Sequence, residues 1–491
     1  MEGIIKVRNN QLFTSNALSI AIGQAISLVS SFLSISLTAR YLGVEQFGKF
    51  NSLLAIVLIL SKFVDFGFAS VIFRESSKGS EKFDLLNVSI TLRLLFFLFT
   101  IIGYNAFAVA LRVPTPELFL SNIFFLNIII SAKFQNIREL LDIPFKVRLK
   151  MYLPSLVAIF DNLLFLIFVL LIPVFSEKLL LIIIGYVLSN LPGFFIILYF
   201  LKKKFGYYLK LTLVNAKWLI KESFPLFGYV IFLTIFQQAD ILLLRYLVSE
   251  HSTGIYSAAA KLTLPFGIIP YALITTAIPI IVNNITKENS KAQYVIRIIY
   301  KILFFISFSI SIFCTFKAKA IVTIVYGNDY LQATLPMIIL FWSQVLLFFN
   351  YFSVDLLTIT YKQKYNFIYA FIIVAANILL IFLLAPTFSF VGASWAKFFS
   401  LFLGTIYFAI VFSKQKKIFN NIHLLRIIIW AVSLSATLFL LSFLPLFLYF
   451  LIGGIILILI TWGVKFFSSD ELDQIFKILN KEKWAKKLKI I

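Results

Sequence analysis

The chain has 491 residues, 61% of them hydrophobic, with a mean hydropathy of +0.98 and a formal net charge of +23. Soluble domains run at about 45–50% apolar residues, so this composition excludes a water-soluble globular protein. Apolar runs of about 18 or more residues recur along the whole length, each long enough to cross a roughly 30 Å hydrocarbon core as a helix. A β-barrel would show short alternating strands instead.

The start, MEGIIKVRNNQLFTSN, reads as a cytoplasmic tail rather than a cleavable signal, because polar residues follow its charges and the next apolar run is too long. Lys6 and Arg8 would face anionic lipid. Fourteen spans follow, at 16–39, 50–73, 87–111, 117–132, 152–174, 179–201, 223–247, 254–282, 299–325, 331–360, 366–386, 390–413, 424–444 and 446–465. The fourth is the shortest and is weakened by Asn122 and Asn127. Counting charges toward a span end with the adjoining connection, 33 of the 44 Lys and Arg residues belong to the N-terminal tail, the even-numbered connections and the C-terminal tail, 7 to the odd connections and 4 to span interiors. That alternation places both ends in the cytoplasm and accounts for most of the positive charge without nucleic acid as a partner. Every connection is short, which leaves no room for a soluble catalytic domain.

Polar residues inside spans are the candidate functional groups, since a charge at a helix centre costs about 2.5–3.5 kcal/mol on insertion scales. Span 1 carries Gln24, Ser27, Ser31, Ser34 and Thr38 on one helical face, which suits either small-residue packing or a wet surface. Lys62 and Asp65 share a face of span 2. Arg93 in span 3 has two readings, snorkelling to lipid phosphate or lining an inward mouth; Asp161 in span 5 has no evident partner. Span 7 offers Thr234, Gln237 and Asp240 on one face, and Asp240 matches the depth of Lys261 in span 8. That pair reads either as a buried ion pair or as part of a cavity that holds phosphate or a coupling ion. Asp65 and Asp240 are the candidate ion-coupling carboxylates. Pro154, Pro192, Pro225, Pro265, Pro270, Pro279 and Pro336 kink spans, and Pro265 and Pro270 beside Lys261 are the ones placed to bend during transport. Asp355 begins a polar run near a cytoplasmic end, and Lys397 near an outer end is placed to snorkel. A single cysteine, Cys314, and two histidines, His251 and His423, exclude a disulfide framework or a Cys-based metal site.

The stretch ARYLGVEQFGKF (Ala39–Phe50) is echoed by LRYLVSEHSTGIY (Leu244–Tyr256). The offset is 205 residues at Arg40/Arg245 and 206 at Gly48/Gly254, and IIGYV at Gly185 and FVGAS at Gly392 differ by 207. A near-constant offset points to an internal duplication. Six spans lie between the copies, so the repeat is parallel. The expected division is 1–205 for spans 1–6, 206–420 for spans 7–12, 421–466 for two extra spans and 467–491 for a cytoplasmic amphipathic tail. Arg40 and Arg245 either cap helix C-termini or act at an outer gate, and Gly48 and Gly254 permit the turn. In the tail, Ser468 and Glu471 form a capping box ahead of an apolar face of Leu472, Ile475, Phe476, Leu479 and Trp484.

ARYLGVEQFGKF, FVDFGFASVIFRE (Phe63–Glu75), IVYGNDYLQA ending at Ala333 and FVGASWAK (Phe390–Lys397) together resemble the Wzx-type O-antigen and polysaccharide flippases of the multidrug/oligosaccharidyl-lipid/polysaccharide superfamily. The resemblance implies an all-α integral membrane protein with two parallel, pseudo-symmetric six-helix lobes around a central cationic cavity. It implies alternating-access transfer of an undecaprenyl-pyrophosphate-linked oligosaccharide (an O-antigen, capsule or exopolysaccharide repeat unit) to the outer leaflet of a bacterial inner membrane. The implied partners are that lipid-linked substrate, membrane lipids and polysaccharide polymerase or assembly proteins. No cofactor or metal is expected, and no enzymatic activity. The alternative is a cation-coupled multidrug or small-molecule exporter of the same superfamily. A membrane polysaccharide polymerase or ligase would need a large outer loop that this chain lacks.

Overall fold

A computed structural model describes residues 2–78, 83–148, 150–174, 177–285, 289–413 and 424–472. The chain is a multi-pass, all-helical membrane protein, and among the described residues there are sixteen α-helices and no strand. They are α1 (Glu2–Asp65), α2 (Phe68–Ser77), α3 (Phe83–Ala110), α4 (Thr115–Ile130), α5 (Ile137–Val147), α6 (Tyr152–Leu171), α7 (Lys178–Leu188), α8 (Leu191–Phe205), α9 (Ala216–Leu247), α10 (Glu250–Thr263), α11 (Ile268–Ile285), α12 (Asn289–Tyr326), α13 (Thr334–Ile359), α14 (Gln363–Phe412), α15 (Leu424–Leu440) and α16 (Leu446–Gly463). Among the described residues, eleven helical stretches are long and apolar enough to cross a membrane. Two of them, α1 and α14, contain a break and hold two expected spans each, and the shorter α4 is the fourth span, so all fourteen expected spans have a helical counterpart.

The breaks have local causes. Gly43 takes φ 72°, a left-handed conformation that only glycine adopts freely, and it parts α1 into spans 1 and 2. In α14 the break falls at Ser389, φ 52°. A methyl group at Gly392 would overlap the carbonyl oxygen of Leu384. Residues eight apart on a straight helix are separated by about 12 Å, so the chain doubles back there. Span 8 is divided by a 3-10 turn, Leu264–Gly267, with Pro265 at its start, where the missing N–H and fixed φ of proline end α10.

The chain forms two compact units, Met1–Gly254 and Ile255–Ile491. In the first, α1 packs on α3, α4, α6, α7 and α9, while the short helices α2 and α5 pack on each other. An apolar core from Phe68, Ile72, Leu86, Leu140, Phe145, Ile197 and Leu201 joins α2, α3, α5 and α8. In the second unit α11 to α14 pack in chain order, and α15 and α16 lie on α12. Their junction is aromatic: Trp430 stacks among Phe305, Phe308 and Phe466 and donates its indole N–H to Thr461 Oγ1 at 3.1 Å.

Lys317, which the sequence counts among outer-connection charges, is buried. Its ammonium donates to the carbonyl oxygens of Ser442 and Leu444, both at 2.6 Å, and lies 5.0 Å from the Tyr449 ring centre. It thus satisfies carbonyls of the 3-10 turn between α15 and α16 and ties the last two spans to α12. At the other end of α12, Lys301 meets Glu471 at 2.7 Å. The expected capping box is present: Ser468 N–H donates to Glu471 Oε2 at 2.9 Å, and Glu471 N–H donates to Ser468 Oγ at 3.3 Å. The remainder of the expected apolar tail face, Ile475, Phe476, Leu479 and Trp484, lies outside the described residues. Lys317→Met should leave two buried carbonyls unsatisfied and lower stability by about 1–3 kcal/mol. Thermal unfolding of the detergent-solubilised protein measures this, and an unchanged melting temperature would remove the capping role.

Candidate functional site

Lys62 and Asp65 occupy the last turn of α1, immediately before Phe66 and Gly67, whose φ values of 51° and 78° end the helix. The break lies against α9, where Phe66 stacks on Phe227 with ring centres 4.6 Å apart. Both charged residues are buried. Asp65 is in direct contact with the guanidinium of Arg93 on α3, which is 0% exposed. Full enclosure removes the snorkelling reading of Arg93: its charge is matched by Asp65 and never reaches lipid headgroups. Lys62 instead donates to Gln135 Oε1 at 3.2 Å.

Gln135 belongs to an unwound segment. At 16 residues α4 is only about 24 Å long, short of the roughly 30 Å core, so the chain past Ile130 is still at membrane depth. There Ser131 is extended, residues 132–134 make one 3-10 turn and Gln135 takes φ 53° before α5 begins. Irregular backbone at that depth survives only when enclosed by protein. Here Asn136 Nδ2 donates to the Ser61 carbonyl at 3.0 Å, and Ser131 Oγ donates to Asn190 Oδ1 at 2.9 Å.

The break carries a second set of charges that sequence reasoning assigned to a cytoplasmic connection. Lys133 lies 4.9 Å from the Tyr186 ring centre and 5.3 Å from that of Phe165. Arg138, also fully buried, faces Asp142 at 3.7 Å and Asp161 at 3.8 Å. Asp161 therefore has a partner that its sequence neighbourhood does not reveal. Its carboxylate presses on Gly193 in the first turn of α8, where a methyl group would overlap it. Negative charge at a helix N-terminus is favourable, so Asp161 also serves as a cap for α8.

At the far end of α9, Arg245 is the centre of a further network. Its guanidinium contacts Glu117 in the first turn of α4, donates to Glu250 Oε1 at 2.7 Å and donates to Ser52 Oγ at 3.1 Å. The two hinge glycines meet beside it. A methyl at Gly48 would overlap the carbonyl oxygen of Glu250, and a methyl at Gly254 would overlap that of Val44. The contact is reciprocal at an offset of 206 residues both ways, the pattern that two-fold-related elements make. Arg40 is exposed. At the Lys/Arg-rich end of α9, Glu222 pairs with Arg74 of α2 at 2.9 Å, and both side chains are exposed. Glu75 beside them is held below the usual carboxylate range by hydrogen bonds from Lys78 and Arg74.

The remaining expected residues are dispersed. Ser34 is buried and donates to the Ser30 carbonyl at 2.8 Å, closing onto its own helix, while Ser31 is half-buried. The side chain of Gln24 lies outside the described ones. Gln237 is exposed and Asp240 is buried in the first unit. Lys261 is half-buried in the last turn of α10, in the second unit, directly before the 3-10 turn that holds Pro265; Pro270 lies in the first turn of α11. Glu117, Gln135, Arg138, Glu139 and Glu222 were not singled out from the sequence. Among the described residues no group of His, Cys, Asp and Glu could hold a metal ion.

A multi-pass helical chain with this arrangement of broken spans has the fold of transporters of the MOP superfamily. The structure is similar to the lipid II flippase MurJ in an inward closed conformation, with a TM-score of 0.74 and 16% identity over 94% of this chain and 99% of that one. It is also similar to an inward-facing multidrug resistance MATE family transporter (TM-score 0.61, 13% identity, 81% of this chain and 99% of that one). A MOP superfamily transporter from Pyrococcus furiosus, described as having a binding pocket of reverse polarity, matches with a TM-score of 0.56 and 11% identity over 82% of this chain and 96% of that one. No curated protein matches the chain in sequence. The model of the polysaccharide biosynthesis protein family matches residues 13–285, more than half of the chain, and the chain belongs to that family.

Removing one member of a buried ion pair costs about 3–5 kcal/mol, because the other charge is left in an apolar setting. Asp65→Asn should destabilise the protein by that amount, and adding Arg93→Met should restore most of the loss. Melting temperatures of the two single variants and the double variant measure the coupling; additive losses would deny it.

Proposed function

We propose that this protein carries a lipid-linked oligosaccharide, joined to its polyprenyl anchor through a diphosphate, from the cytoplasmic to the outer leaflet by alternating access. The observation that carries the reading is a set of cations at membrane depth, Lys62, Arg93 and Arg138 buried and Lys133 half-buried against Tyr186, in a chain of the polysaccharide biosynthesis family. Hydrocarbon rejects a diphosphate, and fixed cations beside a hydrated path lower that barrier. Lys62 and Lys261 serve as the headgroup contacts. Asp65, already matched by Arg93, balances charge, and Asp240 is the carboxylate assigned to a coupling ion. The multidrug exporter reading shares the fold, and the family match favours the oligosaccharide.

The ion pairs on α9 support a gating order. Arg74–Glu222 is solvent-exposed and is worth about 0–1 kcal/mol. Arg245–Glu117 is nearly enclosed, and breaking such a pair costs about 3–5 kcal/mol. Within the first unit α9 is therefore tied more firmly at its Arg245 end, the outer one by charge topology, than at its Glu222 end, which is the order expected of a carrier that first opens to the cytoplasm.

Lys62→Ala and Lys261→Ala should each slow transport by about tenfold or more, the value of one charge-assisted hydrogen bond, while the protein still inserts. The measurement is arrival of lipid-linked oligosaccharide in the outer leaflet of reconstituted vesicles. Wild-type rates in both variants would sink the assignment. Glu117→Gln should raise labelling of a cysteine placed at position 52 by a membrane-impermeant thiol reagent added from outside; unchanged labelling would remove Arg245 from the gate.

A further inference from the structure

The face of α5 that carries Glu139 and Lys146 adjoins the site described above. These two residues are seven apart, so they line one side of the helix over about 10 Å. At the Lys146 end this face borders a half-open cavity of about 190 Å³ between α2 and α5, lined by Ala69, Ser70, Phe73, Glu139, Ile143 and Lys146. A water molecule takes about 30 Å³ of liquid, so the space holds roughly six waters, or a diphosphate with part of its shell. Lys146 is held by Glu139 at 3.5 Å, and both side chains are about one third exposed. Glu139 in turn acts electrostatically on Lys62 and Arg93. Two residues before α5 begins, Gln135 receives the Lys62 ammonium.

We propose that the α2–α5 cavity is a loading subsite for a diphosphate group on its way to Lys62. The inference rests on the transport reading and adds to it a first station. Lys146 is the first cation the group meets, and the exposed Ser70 hydroxyl is placed to donate to a phosphate oxygen. Glu139 is the counter-ion. While the cavity is empty it neutralises Lys146, and an arriving phosphate displaces it by forming a stronger charge-assisted hydrogen bond. Its carboxylate then repels the anion, which keeps the bound state short-lived and passes the group along the helix face to Lys62. No covalent step is involved.

The test is binding to the purified full-length protein in nanodiscs, with inorganic pyrophosphate and a short-chain polyprenyl diphosphate as separate probes. Lys146→Gln should weaken both by about tenfold, the value of one hydrogen bond to a charged group. Glu139→Gln should tighten both, since it removes the competitor and leaves the cation. Lys78→Gln, an exposed charge outside the cavity, should leave both unchanged. Wild-type affinity in Lys146→Gln, or weaker binding in Glu139→Gln, would overturn the subsite while leaving the transport reading intact. An effect on inorganic pyrophosphate with none on the lipid would also overturn it, as a site for free anion only. A wild-type protein that binds neither probe would overturn the transport reading itself.

Discussion

A charge enclosed below the headgroups must find an opposite charge or a set of dipoles, and most of the first unit is arranged around that requirement. The contact of Arg93 with Asp65 is its clearest expression. Span 2 ends where it does because Phe66 and Gly67 turn the chain away after Asp65 has been delivered to α3. The next two charges, Lys62 and Arg138, could not be met by regular helix alone. The fourth span is therefore interrupted, and the interruption supplies Gln135 to one, while α5 and α6 supply Asp142 and Asp161 to the other.

The broken span also makes the interior polar without making it loose. The two ends of the unwound segment are pinned by side chains, Ser131 to Asn190 and Asn136 to the Ser61 carbonyl, and Phe134 within it meets Tyr186, around which Phe124 and Phe165 pack. Such a region tolerates water and ions at one face while the other stays close-packed. A transporter needs both properties, since a headgroup must pass and the bilayer must not leak.

Much of this was legible in the sequence. Spans showed because twenty apolar residues in a row have few other uses. Ser468 and Glu471 announced their capping box by spacing alone. The interrupted span was not legible. Lys133 and Arg138 have the composition of a cytoplasmic connection, and a charge count treats a solvated arginine and an enclosed one alike. A signal was nonetheless present: IRELLDIPFKV places Ile137, Leu140, Leu141 and Phe145 on the buried side of a helix, which a solvated connection has no reason to do. The polar face of span 1 was open to two readings, packing or a wet surface, and Ser34 closing its hydroxyl onto its own helix is a detail that spacing does not reveal.

The two hinge glycines impose a bond between distant parts of the gene. Gly48 is kept bare by the backbone at 250, and Gly254 by the backbone at 44, so neither position is free to drift while its counterpart stands still. At this crossing each main chain sets the size limit of the other's side chain, so an alanine at either glycine would press the two helices apart.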